Sequence, residues 1–304
     1  MDTNAAVWKS EIGVSFWKST RTEREQRRAG HRTLMAELLP FAADEPFTFV
    51  DLGAGTGAAA RIVLDHYQAA HAILADFSSQ MMAQGELELK PYEGRYTYVE
   101  FDLTKPGSWP VGIPEPVDAA ISSLSVHHLN DARKQTLFAE ILAHLAPGGW
   151  YLNYDPVMPP DAVVEEAWLR AGDRQDPTAA AKREHRTPEE QFRYENHVRY
   201  MIPLDPQIAF LRAVGFEGVD VFWKNLDFVI YGGRRPLLSS GGTDFLHGGL
   251  PPSSRMGGSR LLPAWGAPAP HPPWPSPLAI PLAPVPPAGL AGASREGFGQ
   301  GRRV

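Results

Sequence analysis

The stretch FTFVDLGAGTGAAARIVLDHY, residues 47–67, runs an apolar strand into a cluster of glycines and then into an amphipathic helix. Asp51 stands two residues before the first glycine. The spacing satisfies G-x-G-x-x-G/A at Gly53, Gly55 and Ala58, and Asp76 follows at the distance where an acid meets a ribose diol. Taken alone, that pattern suits a dinucleotide. However, a dinucleotide places its pyrophosphate on such a turn, and a carboxylate beside that anion opposes binding. Asp51 instead suits a ligand with a cationic end and a ribose at the other.

Working outward, short apolar runs recur at 71–76 (HAILAD), 96–102 (YTYVEFD), 117–124 (VDAAISSL) and 149–155 (GWYLNYD). Helical patterns separate them. NDARKQTLFAEILAHLAPGG offers a cap at Asn130 or Asp131, an apolar stripe at Leu137, Ile141, Leu142 and Leu145, and a Pro-Gly-Gly stop. Such alternation predicts a parallel sheet covered on both faces. Upstream, Thr20 and Glu23 form a candidate capping box for a helix that turns Leu34, Leu38 and Leu39 inward. Downstream, a helix closed by Gly215 leads to the runs FEGVDVFW and LDFVIYG, joined by a turn too short for a crossover. These two strands must therefore be antiparallel neighbours.

The chain has 304 residues, of which 43% are hydrophobic, enough for a sizeable core. A net charge of -6 argues against binding through non-specific attraction to phosphate backbones. With no cysteine, disulfides, thiol nucleophiles and Cys-ligated zinc are excluded. Neither a signal peptide nor a long apolar run is visible, so a cytoplasmic protein with no membrane partner is expected. Composition breaks at 237–304, where 13 of 68 residues are Pro, 12 are Gly and none is Lys. Disorder is expected there. An idle extension is the plainer reading; a polyproline ligand centred on PHPPWP is the functional one.

Taken together, VDLGAGTG, LADFSSQMM, VEFDL, VDAAISSLSVHHL, LAPGGWYLNYD and the terminal hairpin resemble, in that order, the class I S-adenosylmethionine-dependent methyltransferases. The resemblance spans roughly residues 30 to 235. It implies an α/β, Rossmann-like three-layer sandwich with a mostly parallel seven-stranded sheet, order 3-2-1-4-5-7-6, strand 7 antiparallel. It also implies an N-terminal helical arm or lid (1–45), a methyltransferase domain (46–236) with a helical insertion (157–204), and the tail.

The cofactor implied is S-adenosyl-L-methionine. Asp51 would act near its amine, directly or through water. Gly53, Gly55 and Gly57 would allow close backbone approach, Asp76 would accept from the ribose hydroxyls, and Phe77 would pack on the adenine. Asp102 would take the adenine amino group with the Leu103 amide beside it. Ser122, Ser123 and Leu124 would border the methionine portion. His127, and less so His128, could take a proton from the acceptor, since imidazole titrates near neutrality. Metal binding is not expected, because adjacent histidines point apart and spacing reveals no third convergent ligand.

The implied partner is a small-molecule acceptor with an O, N or C nucleophile. DNA is not expected, since no Asn/Asp-Pro-Pro-Tyr/Phe motif follows strand 4. A tRNA-directed or cofactor-modifying enzyme stays open, as does a homo-oligomer. Two other classes compete: a nucleotide-dependent oxidoreductase, which would leave Asp51, Asp102 and the hairpin unexplained, and a non-catalytic binding module. Acceptor specificity is expected in the N-terminal arm, with Trp8, Phe16 and Trp17, and in the insertion, where Trp168, Tyr194 and Tyr200 would line a pocket beneath a lid.

Overall fold

The computed structural model describes residues 21–237 except 108 and 111. The Thr20 cap, the aromatic residues of the N-terminal arm and all but the first residue of the expected tail lie outside the described residues.

Helix α1 (Arg21–Glu37) precedes β1 (Thr48–Leu52), α2 (Ala58–His66), β2 (His71–Asp76), α3 (Ser79–Glu88), β3 (Tyr96–Glu100), β4 (Val117–Ser123), α4 (Asp131–His144) and β5 (Leu145–Pro156). Helices α5 (Ala162–Gln175), α6 (Ala179–Glu184) and α7 (Pro188–Val198) follow, then α8 (Leu204–Val214), β6 (Glu217–Asn225) and β7 (Phe228–Arg234). The strands form one sheet in the order β3-β2-β1-β4-β5-β7-β6. Pairings from β3 to β5 are parallel, while β7 runs antiparallel to both β5 and β6. The sheet order and the antiparallel hairpin are those implied by the resemblance.

Strand alternation produces the layers. On one face Phe49, Leu74, Ile121, Leu152 and Ile230 pack with Met35 and Ala36 of α1 and Ala60, Val63 and Leu64 of α2. On the other, Val50, Leu52, Ile73, Ala120, Tyr151 and Val229 pack with Leu137, Phe138 and Ile141 of α4 and Ile208 and Leu211 of α8. The stepping of side chains to opposite faces along each strand makes a two-sided core, as a sheet buried on both faces requires. At the N-terminal helix Leu39 is buried, but Leu34 and Leu38 are only partly so, and Met35 and Ala36 supply the inward contact.

Some boundaries differ from the sequence expectation. Leu145 does not end the stripe of α4 but opens β5, which runs through the Pro-Gly-Gly run. Helix α4 stops because Leu145 is already extended (φ -70°, ψ 147°), its amide still donating to Ile141. Strand β3 ends at Glu100, so Asp102 sits in the turn beyond it. The local signals held at caps: Asn130 accepts from the Arg133 amide at 2.9 Å, and Thr187 with Glu190 forms a full capping box.

Candidate active site

At the carboxyl ends of β1, β2 and β4, where ligands bind in open α/β sheets, lies a cavity of about 260 Å³. Its floor is the glycine turn. Gly53 has φ +71°, and a Cβ there would lie 2.4 Å from Ser125 Cβ, so this position admits only glycine. The turn is clipped to β2 by the Gly53 and Ala54 amides, both donating to the Ala75 carbonyl. Gly57 (φ +76°) does not line the cavity; its missing side chain makes room for Leu74 and Leu89, and its role is packing.

Asp76 lines the cavity from the end of β2. One of its oxygens accepts from the Gly55 amide and the other from the Ser78 amide, each at 2.8 Å. Burial raises its pKa, with these amides opposing the shift. A carboxylate has about four acceptor sites, so two bonds leave capacity for a diol. Phe77, Met81 and Ser78 flank it, and Asp102 and Leu103 close the same end. Asp102 spends Oδ1 on the Thr104 amide and hydroxyl, which with nearby Lys105 hold its pKa down against burial. The Leu103 carbonyl is bound by Arg133 Nε at 2.6 Å, which steadies this turn.

Two expected contacts are corrected. Asp51 does not line the cavity: it is 1% exposed, beneath the turn, and its Oδ2 accepts from the Ala60 amide of α2 at 3.2 Å. Its Oδ1 is buried without a hydrogen-bond partner, and burial pushes its pKa up to about 7 against the pull of Arg32. Ser122 is also enclosed, its hydroxyl 2.7 Å from that of Ser125, which donates to the Leu52 carbonyl. Ser123, Leu124 and Ser125 line the cavity in its place. Leu124 adopts φ +63°, an uncommon conformation for leucine, with its amide donating to the Tyr154 carbonyl.

The opposite end is cationic and imidazole-rich. His127 is 3% exposed, on the one-turn 3₁₀ segment Val126–His128. Its Nδ1 lies 2.7 Å from Asp155 Oδ1, and its backbone amide donates to Asp155 Oδ2. Asp155 also accepts from Asn153, whose amide donates to Tyr231, which donates in turn to Gln207. Burial raises the Asp155 pKa to about 7 and drives those of His127 and His128 well below the usual imidazole value.

His197 of α7 reaches the same point, its Nδ1 3.3 Å from His127 Nε2. The adjacent histidines therefore do not diverge: their ring centroids are 3.9 Å apart, and both face His197. Arg28 and Arg32 of α1 line this end too, with Arg32 Nε donating to Ser123 Oγ at 3.1 Å.

Sequence reading missed Arg28, Arg32, Asp155 and His197. Asp155 carries a signal, an acid at the carboxyl end of a strand; the others need the folded chain. Trp168, Tyr194 and Tyr200 are not in the cavity lining. Trp168 packs at the core edge under Lys224, Tyr194 lies 40% exposed against Arg186, and Tyr200 offers its carbonyl to Lys134.

Residues 49–149 match the family model described as methyltransferase domain. Its fold is that of a class I methyltransferase domain. An O-methyltransferase family protein from Burkholderia thailandensis shares 16% identity with this chain at a TM-score of 0.53, over 70% of this chain and 57% of its own. PigF with SAH gives 14% and 0.53, over 76% and 61%. Human N-acetylserotonin methyltransferase in complex with SAM gives 16% and 0.51, over 76% and 58%. The chain thus spans less than two thirds of the length of these similar structures, and no curated sequence matches it. Among the described residues no helix is long and apolar enough to cross a membrane.

Proposed function

We propose that this chain is an S-adenosylmethionine-dependent methyltransferase acting on a small-molecule acceptor through an O, N or C nucleophile. The observation that carries the reading is Asp76: a carboxylate at the end of β2, fixed by two backbone amides at 2.8 Å, facing a cavity over a glycine turn. Thr56 supports the fit, since it lines the cavity and its hydroxyl is buried without a partner. Two of the similar structures hold SAM or SAH by their own descriptions.

Bound, the cofactor supplies an electrophilic sulfonium methyl group. The chain's own task is to hold the reactants. Asp76 would accept from the ribose, Phe77 and Met81 would pack on the adenine side, and the Gly53–Gly55 backbone would permit close approach. Asp51 stands behind the turn, out of contact. At the other end, His127 with Nδ1 bonded to Asp155 presents Nε2 as a proton acceptor. Its lowered pKa makes it a weak base, so positioning carries most of the rate.

Calorimetric titration of the full chain with S-adenosylmethionine, S-adenosylhomocysteine and NADH tests the reading. Micromolar binding of the first two, about -8 kcal/mol, weakened at least about tenfold by Asp76→Ala, is expected. No binding of either, or preference for NADH, overturns it.

A further inference from the structure

We propose that His127, His128 and His197 bind a divalent transition-metal ion, zinc foremost, at the imidazole end of the cavity. The donor nitrogens of the three rings all lie within 4.8 Å of one another. Zinc–nitrogen bonds of about 2.0–2.1 Å at tetrahedral angles put neighbouring donor nitrogens about 3.3 Å apart. His127 Nε2 and His197 Nδ1 already stand 3.3 Å apart. The His128 donor lies within 4.8 Å of the other two, a gap of the size that an imidazole turning about its side-chain bonds can close.

The surroundings are built as a ligand's surroundings are. Asp155, itself fully buried, accepts from His127 Nδ1 at 2.7 Å, which fixes the tautomer and turns Nε2 toward the other two rings. Asn153 and the His127 amide hold Asp155 in turn. Imidazole is a good ligand for zinc, copper and nickel, whereas oxygen-preferring magnesium and calcium find no carboxylate among the three donors. All three histidines also line the cavity, so the fourth position of a tetrahedral ion opens onto it.

A hydrogen-bonded histidine cluster without metal accounts for the contact between His127 and His197. It gives no reason for the third ring. Because His197 comes from α7 and the other two from the segment after β4, the ion would also fasten the insertion to the core. With His127 Nε2 on the ion, that ring no longer accepts a proton, and the cation instead acidifies a hydroxyl taking the fourth position. The proposal rests on these side chains alone and does not depend on the cofactor.

The test uses the untagged full chain, stripped of metal by chelator and titrated with Co2+, with Zn2+ as competitor. One ion per chain is expected, with the visible ligand-field absorption of a nitrogen-ligated four-coordinate site that Zn2+ abolishes. His197→Gln and His128→Gln should each remove that absorption, and Asp155→Asn should weaken affinity at least about tenfold. His197 is exposed at its outer edge, so the metal-free His197→Gln protein should melt as the wild type does. Absence of the cobalt band, or a band unchanged in both histidine variants, overturns the proposal.

Discussion

At the scale of single residues, Asp51 shows how burial turns a carboxylate into a pH-dependent cost. It is buried with one oxygen lacking a partner, and its folded pKa is raised from 3.8 to about 7. Between those values the folded state holds a proton that the unfolded state has lost, so stability falls as pH rises through that window. Asp51→Asn keeps the acceptor for the Ala60 amide and removes the titration. In urea melts, the stability of the wild type relative to this variant should therefore drop from pH 4 to pH 7.5, on the order of a few kcal/mol. A difference that stays flat would show that Asp51 does not titrate there.

Residue types at this scale were legible in advance because backbone geometry demands them. The glycine at position 53 is required by a left-handed turn and by Ser125, and Asp76 is required by the open amides of Gly55 and Ser78. The burial of Asp51 beneath the turn was not legible, since the pattern marks the turn and not which side of it a carboxylate faces.

Among elements, the β6–β7 hairpin stores local strain. Its turn holds Leu226 at φ +50°, a conformation that disfavours a leucine side chain and tolerates asparagine. Leu226→Asn is expected to raise stability by about 0.5–1 kcal/mol, seen as a higher melting temperature without loss of S-adenosylhomocysteine binding. A lower melting temperature would mean that the partly buried leucine contributes more by packing than it costs in backbone strain. The approach of β7 to β5 is tightly specified: a Cβ on Gly232 would lie 1.9 Å from the Tyr151 carbonyl oxygen of β5.

Element types were readable because each carries its own period, and caps because they are local. The length of β5 was not readable. Pro147, Gly148 and Gly149 look like a stop, yet they form an irregularity between the Leu145 and Trp150 pairings with β4, and Gly148 and Gly149 exchange backbone hydrogen bonds with Arg235 beyond β7, so the strand continues across them.

Across the whole molecule, burial is uneven. The sheet strands β1, β2, β4 and β5 are largely buried, while α5, α6 and α7 contain no buried residue. Val163, Leu169 and Phe192 on these helices are exposed. Opening them costs few apolar contacts, so in hydrogen exchange of the metal-free protein their amides should exchange much faster than those of β1 and β4. Equal protection would show that the insertion opens only with the whole domain.

Periodicity, turn chemistry and the order of strand-end acids determined the layered α/β fold, the antiparallel hairpin and the glycine-turn end of the cavity, because each is written within a few neighbouring residues. Which face of the turn Asp51 occupies, how far β5 runs and which insertion residue reaches the cavity were decided only by tertiary structure. Arg28, His127, Asp155 and His197 are 28 to 169 positions apart from one another and meet only after α1, the segment beyond β4, the end of β5 and α7 come together at the carboxyl end of the sheet. No local pattern records such a meeting, because its cause is the packing of whole elements.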